Sequence, residues 1–466
     1  MKPFLAACLS LLAGCSAVQR PGGRPPLERE GEAYLYLDAF PRGSERLAFA
    51  VGSIQAVAAD GRAVPLDLAL ADLSGASVRS QRLLASGRLE PGSYAGLLVK
   101  VVRATLRQDE GASDLVVPAE PVRIDAPFTV APRRATVLWA RLDAAASVRN
   151  RVEFAPALAV SSPDPLLPEL SGYCSNSGDD NLTVFDRRTH RVTGVVPVGR
   201  QPAGLALDPA RRRAYVALSG EDAVAIVDLH SSEEVGRVLL RPGDGPREVA
   251  LAPDGRSLLV ANGDSATVSF VDADAEIETD RLPVGVDPVS LLLDRSGQRA
   301  YVFHRASASI TVIDVPNRSI VRSVATEPEP IRGRLNRDGS RLYVLQAGSP
   351  YLAVLSAPDL TPVSRVLVGV GASALELDAR TDLVYVGDRF GGALRVFDPA
   401  SLLPVARVEV PGPVTRGEID GAEDVLFTVV PSRRMVAANE LVSGRALAPV
   451  EVGNDPYQVA VYGARR

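Results

Sequence analysis

The chain has few of the residues that usually hold metals or cofactors. Its 466 residues include three cysteines, three histidines and one tryptophan, and aromatic residues make up 5%. This leaves little material for a metal or haem site. Apolar runs of about 18 residues are also missing, so we expect no ordinary membrane-spanning helix.

Lysine is nearly absent as well, because only Lys2 and Lys100 occur and arginine carries the remaining positive charge. The formal net charge is −5. A dedicated nucleic-acid-binding protein normally carries an excess of basic residues, so we expect no nucleic-acid partner. Hydrophobic residues make up 46% of the chain, which is enough for a folded core and excludes wholesale disorder.

The first residues have the pattern of a secretory signal. Lys2 precedes an apolar stretch over residues 4–12, and small residues follow before Cys15. The segment Leu12-Ala13-Gly14-Cys15 resembles the lipobox of bacterial lipoproteins. The resemblance implies cleavage before Cys15 and lipidation of its thiol, which would anchor the protein to a membrane without crossing it. The alternative is an ordinary secretory signal in residues 1–15 with a chance cysteine.

This resemblance also bears on location and on disulfides. Ser16, rather than an aspartate, follows the cysteine, which by resemblance favours the outer membrane of the cell envelope. Cys8 would leave with the signal and Cys15 would carry lipid, so Cys174 alone would remain and no intramolecular disulfide could form. Residues 16–31 are rich in proline and glycine, which predicts a flexible tether.

Residues 32–160 predict an all-β domain. Short β-like runs are separated by turn signals such as Asp60-Gly61 and Pro91-Gly92, which favours an antiparallel β-sandwich. The motif Leu89-Glu90-Pro91-Gly92-Ser93-Tyr94 resembles an uncharacterised sandwich domain found near the start of bacterial lipoproteins. Trp139 is expected to pack in the core rather than stack on a ligand. Residues 161–170 form a proline-rich linker. The predicted strands span 34–40, 46–57, 64–70, 94–106, 122–130, 136–142 and 153–160.

The rest of the chain, residues 171–466, repeats one unit. The run Pro202-Ala203-Gly204-Leu205-Ala206-Leu207-Asp208 recurs with a spacing of 44 residues and then of 42. Each unit contains four short β-like runs, which is the pattern of a β-propeller blade. Equivalent runs begin at Pro246, Pro288, Pro330, Ala372, Val414 and Pro456.

The ends of the repeat region predict how the ring closes. The last unit supplies only its first strand, from Pro456, whereas the first unit lacks that strand and starts at Gly172. The two fragments complete one blade, so the sequence predicts seven blades closed by the C-terminal strand. An open solenoid is the alternative, but it would not need a split repeat.

The repeats resemble a known family through three features. These are the strand Ala214-Tyr215-Val216-Ala217, the Asp-Pro or Asp-Gly turn before such strands, and the following Val-x-Val-Ile-Asp pattern. They are similar to the "YVTN" propeller repeats of bacterial and archaeal surface and periplasmic proteins. The resemblance implies the fold, but not an activity, because lactonases and redox enzymes share that fold.

The individual reactive residues have simple structural explanations. Cys174 aligns with buried strand valines, so we expect an inert core thiol. His190 and His230 fall between the third and fourth strands of their units, and His304 falls between the second and third. These connections emerge on opposite faces of a propeller, so we expect three surface histidines that cannot share one metal. The acidic segment 177–181 could touch calcium, but turn chemistry explains it more simply.

The innermost strands offer a more specific candidate site. Residues facing the axial channel are small or apolar in the early units and charged in the later ones, where arginine and glutamate alternate. Two interpretations are open: a water-filled, ion-paired channel wall, or a site for an anion or polar ligand at the channel mouth. The candidate residues are Arg247, Glu248, Arg332, Arg334, Glu376, Arg416, Glu418 and Gln458.

These observations favour a lipid-anchored, non-enzymatic binding or scaffold protein. We expect a membrane contact through Cys15, and a partner that is another envelope protein or a small polar or anionic ligand. No catalytic residue, metal site or cofactor is predicted. The alternative is a lactonase-like hydrolase that uses the charged channel, although no Ser-His-Asp grouping is evident. A redox propeller with a cofactor is a third option.

Overall fold

A computed structural model describes residues 27–109 and 111–462. The predicted signal and the lipidation site Cys15 lie outside these residues. The described chain consists of an N-terminal curled β-sheet and a seven-bladed β-propeller. Among the described residues, no helix is long and apolar enough to span a membrane.

The N-terminal part is one hydrogen-bonded sheet of ten strands that curls around a single core. β3 links its two halves, because it pairs with β2 on one side and with β5 on the other. Most pairs are antiparallel, but β1 and β9 run parallel. The strands are β1 (Gly31–Leu37), β2 (Leu47–Ala58), β3 (Ala63–Leu68), β4 (Asp72–Ser74), β5 (Arg82–Leu89), β6 (Gly92–Gln108), β7 (Gly111–Leu115), β8 (Val122–Val130), β9 (Ala135–Leu142), β10 (Val148–Arg149), β11 (Glu153–Phe154) and β12 (Leu158–Ser161), with β10 and β11 forming a separate hairpin beside the short helix α1 (Ala144–Ser147).

The predicted all-β sandwich-like domain is therefore confirmed, but β5 was missed by the sequence analysis. Its residues are buried or half-buried along its whole length rather than alternating between buried and exposed. Ala85 faces the core of the sheet, whereas Leu83 packs against a cluster that includes propeller residues. A strand covered on both faces lacks the period-two pattern by which a half-exposed strand is recognised.

Seven four-stranded antiparallel sheets follow, arranged as blades around an axis. Each inner strand contacts the next and the last contacts the first, so the ring is closed. The blades contain β13 (Ser171–Asn176), β14 (Asn181–Asp186) and β15 (Val192–Pro197); β16 (Pro202–Asp208), β17 (Arg213–Leu218), β18 (Ala223–Asp228) and β19 (Glu233–Leu239); β20 (Pro246–Leu251), β21 (Ser257–Asn262), β22 (Thr267–Asp272) and β23 (Ile277–Pro283); β24 (Pro288–Leu293), β25 (Arg299–His304), β26 (Ser309–Asp314) and β27 (Ser319–Ala325); β28 (Pro330–Leu335), β29 (Arg341–Gln346), β30 (Tyr351–Ser356) and β31 (Pro362–Leu367); β32 (Ala372–Leu377), β33 (Val384–Asp388), β34 (Ala393–Phe397) and β35 (Pro404–Glu409); and β36 (Arg416–Asp420), β37 (Val425–Val430), β38 (Met435–Glu440) and β39 (Val450–Glu451).

The C-terminal strand β40 (Pro456–Val461) closes the ring, as the split repeat predicts. It pairs with β13 and forms the inner strand of the first blade. The apolar cores lie between neighbouring blades; one such core joins Leu182 of the first blade to Val216 of the second. This closure leaves no unpaired strand edge between the first and last blades.

The curled sheet packs directly on the first and last blades. Tyr34 and Val137 share a buried cluster with Phe185 and Phe427 of the propeller. The Trp139 Nε1–H donates a hydrogen bond to the Val192 carbonyl at 2.7 Å. Trp139 therefore packs between the two domains rather than inside the sandwich core.

An ion pair strengthens the same contact. The Arg191 guanidinium lies over the Trp139 ring, 3.5 Å from its centroid, and donates to both carboxylate oxygens of Asp38 at 2.6 Å. Hydrogen bonds between two charged groups are roughly twice as strong as those between neutral groups. The two domains are consequently joined by a packed, hydrogen-bonded interface as well as by the linker.

Candidate functional site

The inner strands place the channel side chains in two layers. The inner strand of each blade pairs with the second strand, and equivalent pairs in different blades lie at the same height along the channel. Arg332 pairs with Leu345, for example, and Arg416 pairs with the equivalent residue Val429. We call the layer nearer the start of the inner strands the upper layer, formed by Gly204, Glu248, Ser290, Arg332, Ala374, Arg416 and Gln458. The lower layer is formed by Ala206, Ala250, Leu292, Arg334, Glu376, Glu418 and Ala460.

Three charged side chains of the upper layer meet across the channel. Arg416 Nη1 donates to Glu248 Oε2 at 3.1 Å. Arg332 Nη2 lies 3.6 Å from the same oxygen, which is too long for a direct hydrogen bond. The side chains of Glu248, Arg332 and Arg416 are 7%, 7% and 12% exposed. Two guanidinium groups thus converge on one carboxylate oxygen in a nearly buried position.

The lower layer has the opposite balance of charge. Arg334 forms a bidentate pair with Glu376, with Nε donating to Oε2 at 3.0 Å and Nη2 to Oε1 at 2.8 Å. Glu418 lies close enough to Arg334 to interact with its charge. One arginine and two glutamates therefore occupy this layer, against two arginines and one glutamate above it.

Burial and ion pairing have opposing effects on the pKa of each of these charged groups. Burial lowers the pKa of Arg334, but its glutamate neighbours, Glu376 first, outweigh that effect and raise it. Burial likewise opposes the charged form of Arg416, and Tyr457 and Glu248 together raise its pKa. Burial raises the pKa of Glu376 although Arg334 opposes the shift. Arg334 and Arg416 therefore stay charged at neutral pH.

Small residues make room for this network. A Cβ added at Gly204 would lie 2.7 Å from both Cα and Oε1 of Glu248, so glycine is needed for Glu248 to lie there. Gln458 uses its amide on the backbone of Leu205, accepting from the N–H and donating to the carbonyl, both at 3.2 Å. The Arg416 guanidinium lies 4.0 Å from the centroid of the Tyr457 ring. Tyr457 thus flanks the upper layer.

Seven of the eight predicted site residues lie in the two layers, six of them as charged side chains and Gln458 as an uncharged one, whereas Arg247 lies outside the layers. Arg247 is the second residue of β20 and pairs with Asp264 at 3.3 Å. Gln458 belongs to the upper layer but is held by backbone groups. The sequence alone did not show that Glu248 and Arg416, which are far apart in the chain, would meet. That contact depends on the width of the closed ring.

The prediction of surface histidines is wrong for two of the three. His230 is exposed, but His190 and His304 are buried. The His190 ring packs edge-on against Phe427 of the last blade, with centroids 5.7 Å apart. His304 ends β25, where its Nε2 lies 2.9 Å from the Thr311 hydroxyl. Their positions at turns suggested exposure, whereas tight packing between blades and within a hairpin covers them.

His304 belongs to a polar position that recurs at the end of the second strand. Asn176 and Asn262 occupy the equivalent position in other blades and donate to hydroxyls on the third strand, at 2.8 Å to Thr183 and 2.8 Å to Ser269. Gln346 takes the same place in the next blade. The role of His304 is therefore structural, since it ties one hairpin together.

This position gives a prediction for the pH dependence of stability. Burial lowers the pKa of His304 from its ordinary value of 6.5 to about 4. Between these values the unfolded state binds a proton that the folded state does not, so the free energy of unfolding falls as pH falls from 6.5 to 4. In His304→Gln, which copies the residue found at Gln346, we expect the free energy of unfolding to fall by about 3 kcal/mol less over this pH range than in the unsubstituted protein. Urea denaturation at pH 7 and pH 4 measures it; equal falls in both proteins would contradict the prediction.

Cys174 and the acidic segment 177–181 are the other residues that the sequence pattern singled out. Cys174 is buried, and burial raises the pKa of its thiol well above the usual range. Asp179 accepts from the backbone N–H and the side-chain amide of Asn454, at 2.7 and 2.9 Å. Asp180 accepts from the Gln201 N–H at 2.9 Å. These acidic residues thus connect loops. In the described ranges, no cluster of three or more His, Cys, Asp or Glu side chains has metal-binding geometry.

Comparisons with known proteins agree on the fold. The model of the YNCE-like β-propeller family matches residues 179–337. No curated protein matches the chain. Solved structures that are similar include hydrazine synthase from Kuenenia stuttgartiensis, with a TM-score of 0.50 and 19% identity over 55% of this chain and 87% of that one.

Two further solved structures show the same likeness. Dihydro-heme d1 dehydrogenase NirN, in complex with DHE, has a TM-score of 0.50 and 16% identity, covering 65% of this chain and 78% of that one. A functionally unknown protein from Desulfotomaculum acetoxidans has a TM-score of 0.56 and 12% identity, covering 62% and 98%. At these identities the likeness extends to the fold alone. The chain is thus a β-propeller protein, with a partial match to the YNCE-like family.

Proposed function

We propose that the protein is a lipid-anchored binding or scaffold module of the bacterial cell envelope, and that its propeller recognises a small anion or a carboxylate of a partner protein at the upper layer of the channel. The lipobox-like segment that ends at Cys15 supports the anchor, and the YVTN-like repeats support an envelope location. The charged channel supports the binding role.

The observation that carries the proposal is the charge balance of the upper layer. Arg332 and Arg416 share one oxygen of Glu248, which leaves this layer with an excess positive charge. A buried guanidinium needs hydrogen-bond acceptors, and a contact at 3.6 Å does not supply one. A carboxylate or phosphate between the two arginines would accept from both forks and balance the layer.

The geometry favours binding over turnover. Each glutamate of the two layers lies close enough to at least one arginine to interact with its charge. Arg334 and Glu376 in particular hold each other in a two-point contact. A general base needs access to the proton that it removes, and a carboxylate held at both oxygens offers poor access.

Anion binding can be tested with one substitution in the upper layer. We expect Arg332→Gln to weaken binding of succinate or inorganic phosphate about tenfold, since a charged hydrogen-bond donor is lost. The pair between Arg416 and Glu248 survives in this variant, so folding is preserved. Isothermal titration calorimetry of the full chain measures the change.

Ser290→Ala is the matched control, because Ser290 is an uncharged, buried member of the same layer. Equal affinities of Arg332→Gln and the unsubstituted protein, or no binding by either, would rule out an anion site here. Hydrolysis of a lactone that is lost in Arg332→Gln would replace the binding proposal with the hydrolase alternative.

The anchor is tested separately by Cys15→Ser. We expect the lipid-dependent fraction to leave the membrane pellet and appear in the soluble envelope fraction, because the modified thiol would be missing. Metabolic labelling with a palmitate analogue should mark the unsubstituted chain and the Cys174→Ser control, but not Cys15→Ser. Cys174→Ser serves as the control, since its thiol is buried. Continued labelling of Cys15→Ser would contradict this part of the proposal.

A further inference from the structure

The N-terminal sheet contains a second feature that the channel does not involve. A cleft of about 670 Å³ opens at the end of the curled sheet where β2 and β6 meet β9 and α1. This volume lies within the range of about 300–1,000 Å³ that is typical of small-molecule sites. The cleft therefore has room for a ligand of moderate size.

The floor of the cleft is apolar. Leu47 and Leu142, one from each half of the curled sheet, line it and belong to the buried core. Leu106, Ala144 and Val148 also line it and pack against that core while remaining partly exposed. The two halves of the sheet thus part at this end and expose the edge of the core, which favours an apolar ligand there.

The rim of the cleft is basic. Arg42, Arg46 and Arg141 line it and are exposed. Arg46 is paired with Asp109 at 2.8 Å, whereas neither Arg42 nor Arg141 forms an ion pair with any residue in 27–109 or 111–462. Asp143 is the one acidic lining residue, and its carboxylate accepts from the Ala146 N–H at 3.0 Å to cap α1.

An apolar floor below a basic rim is complementary to one kind of molecule. The floor would bury a hydrocarbon chain, and the arginine forks would bind the oxygens of an anionic head group. We propose that this cleft binds an amphipathic anion, with a single acyl chain on the floor and a carboxylate or phosphate head group at Arg42 and Arg141. The site is independent of the propeller channel.

The test uses the full chain and four soluble probes below their micelle-forming concentrations: dodecanoate, dodecyl phosphate, dodecanol and inorganic phosphate. We expect at least one of the two amphipathic anions to bind at least tenfold more tightly than dodecanol and inorganic phosphate. The double variant Arg42→Gln/Arg141→Gln should weaken that binding tenfold or more while leaving dodecanol unaffected. Ala145→Trp should weaken every probe with a chain, because the indole would fill the cleft.

Arg123→Gln is the matched control, since Arg123 is an exposed arginine of the same sheet that pairs with Asp125 outside the cleft. Thermal melts establish that each variant remains folded. Dodecanol binding as tightly as both anions, inorganic phosphate binding as tightly as dodecyl phosphate, or no response to the double variant would each overturn the proposal. A preference for dodecanoate or for dodecyl phosphate would identify the head group.

Discussion

A chain that ends at Asp455 is expected to lose its closed propeller. The truncation removes β40, the inner strand of the first blade, and leaves β13 with an unpaired edge from Gly172 to Asn176. Val459, Ala460 and Val461 are buried between neighbouring strands and blades. Each of the two buried valine side chains contributes about 1.5–3 kcal/mol, and the strand hydrogen bonds are lost in addition. This sum approaches the total stability of a typical domain, which is about 5–15 kcal/mol.

We therefore expect the truncated protein to aggregate, because an open blade presents both an apolar face and a strand edge. Size-exclusion chromatography with light scattering and a thermal melt provide the readout. A chain that ends at Tyr462 is the matched control and should elute and melt as the full chain does, because it keeps β40 whole. A monomeric, cooperatively melting chain that ends at Asp455 would contradict the expectation.

The repeat region shows how much of the fold a sequence can predict. The spacing of the Pro202, Pro246 and Pro288 runs predicts the blades, since each blade is a local unit with its own turns. The missing first strand of the first unit predicts closure by β40, because seven complete sheets are otherwise impossible. Local periodicity was informative here because the propeller is built from contacts within and between adjacent repeats.

The candidate site was predicted only in part. Alternation along the inner strands identifies Glu248, Arg332 and Arg416 as channel-facing, which the structure shows as well. It does not predict that Arg416 crosses to Glu248, because that distance is set by the diameter of the ring and the space above Gly204. Long-range geometry of this kind leaves no periodic signal in the sequence.

The errors have physical causes of the same kind. His304 was expected at the surface because it lies beside a turn, but its position is equivalent to Asn176, Asn262 and Gln346, all of them polar. Polar residues at this equivalent position of several repeats could have indicated a buried hydrogen-bonding position. The strand β5 was missed because the propeller covers its outer face, which only the packing of two domains reveals.

Asp420→Asn should produce the largest loss of stability of any single substitution considered for the propeller. Arg187 Nη1 donates to both carboxylate oxygens of Asp420 at 2.6 Å, and thereby joins the first blade to the last. The side chains are 7% and 0% exposed. The amide has nearly the same shape as the carboxylate but carries no charge, so the buried Arg187 guanidinium would lose its close partner and keep only the 3.8 Å ionic contact between its Nη2 and Glu423 Oε1. Breaking such a pair costs about 3–5 kcal/mol.

For a propeller of this size, that cost corresponds to a fall in melting temperature of about 5–8 °C. Thermal and urea denaturation of the full chain measure it. Glu409→Gln, in the exposed pair with Arg407, is the matched control and should change the free energy of unfolding by less than about 1 kcal/mol.

A double variant separates the cost of an unpaired charge from the worth of the pair itself. Arg187→Met/Asp420→Leu removes both charges and fills the space with apolar side chains, so it should be more stable than Asp420→Asn. Arg187 also donates from Nε to the Glu169 carbonyl at 3.0 Å, and the Asp420 carboxylate accepts from the Ala422 N–H at 2.9 Å. The double variant loses these bonds as well and should therefore stay below the unsubstituted protein. If the double variant is no more stable than Asp420→Asn, the contact between the first and last blades is stabilised by these local hydrogen bonds rather than by the balance of buried charge.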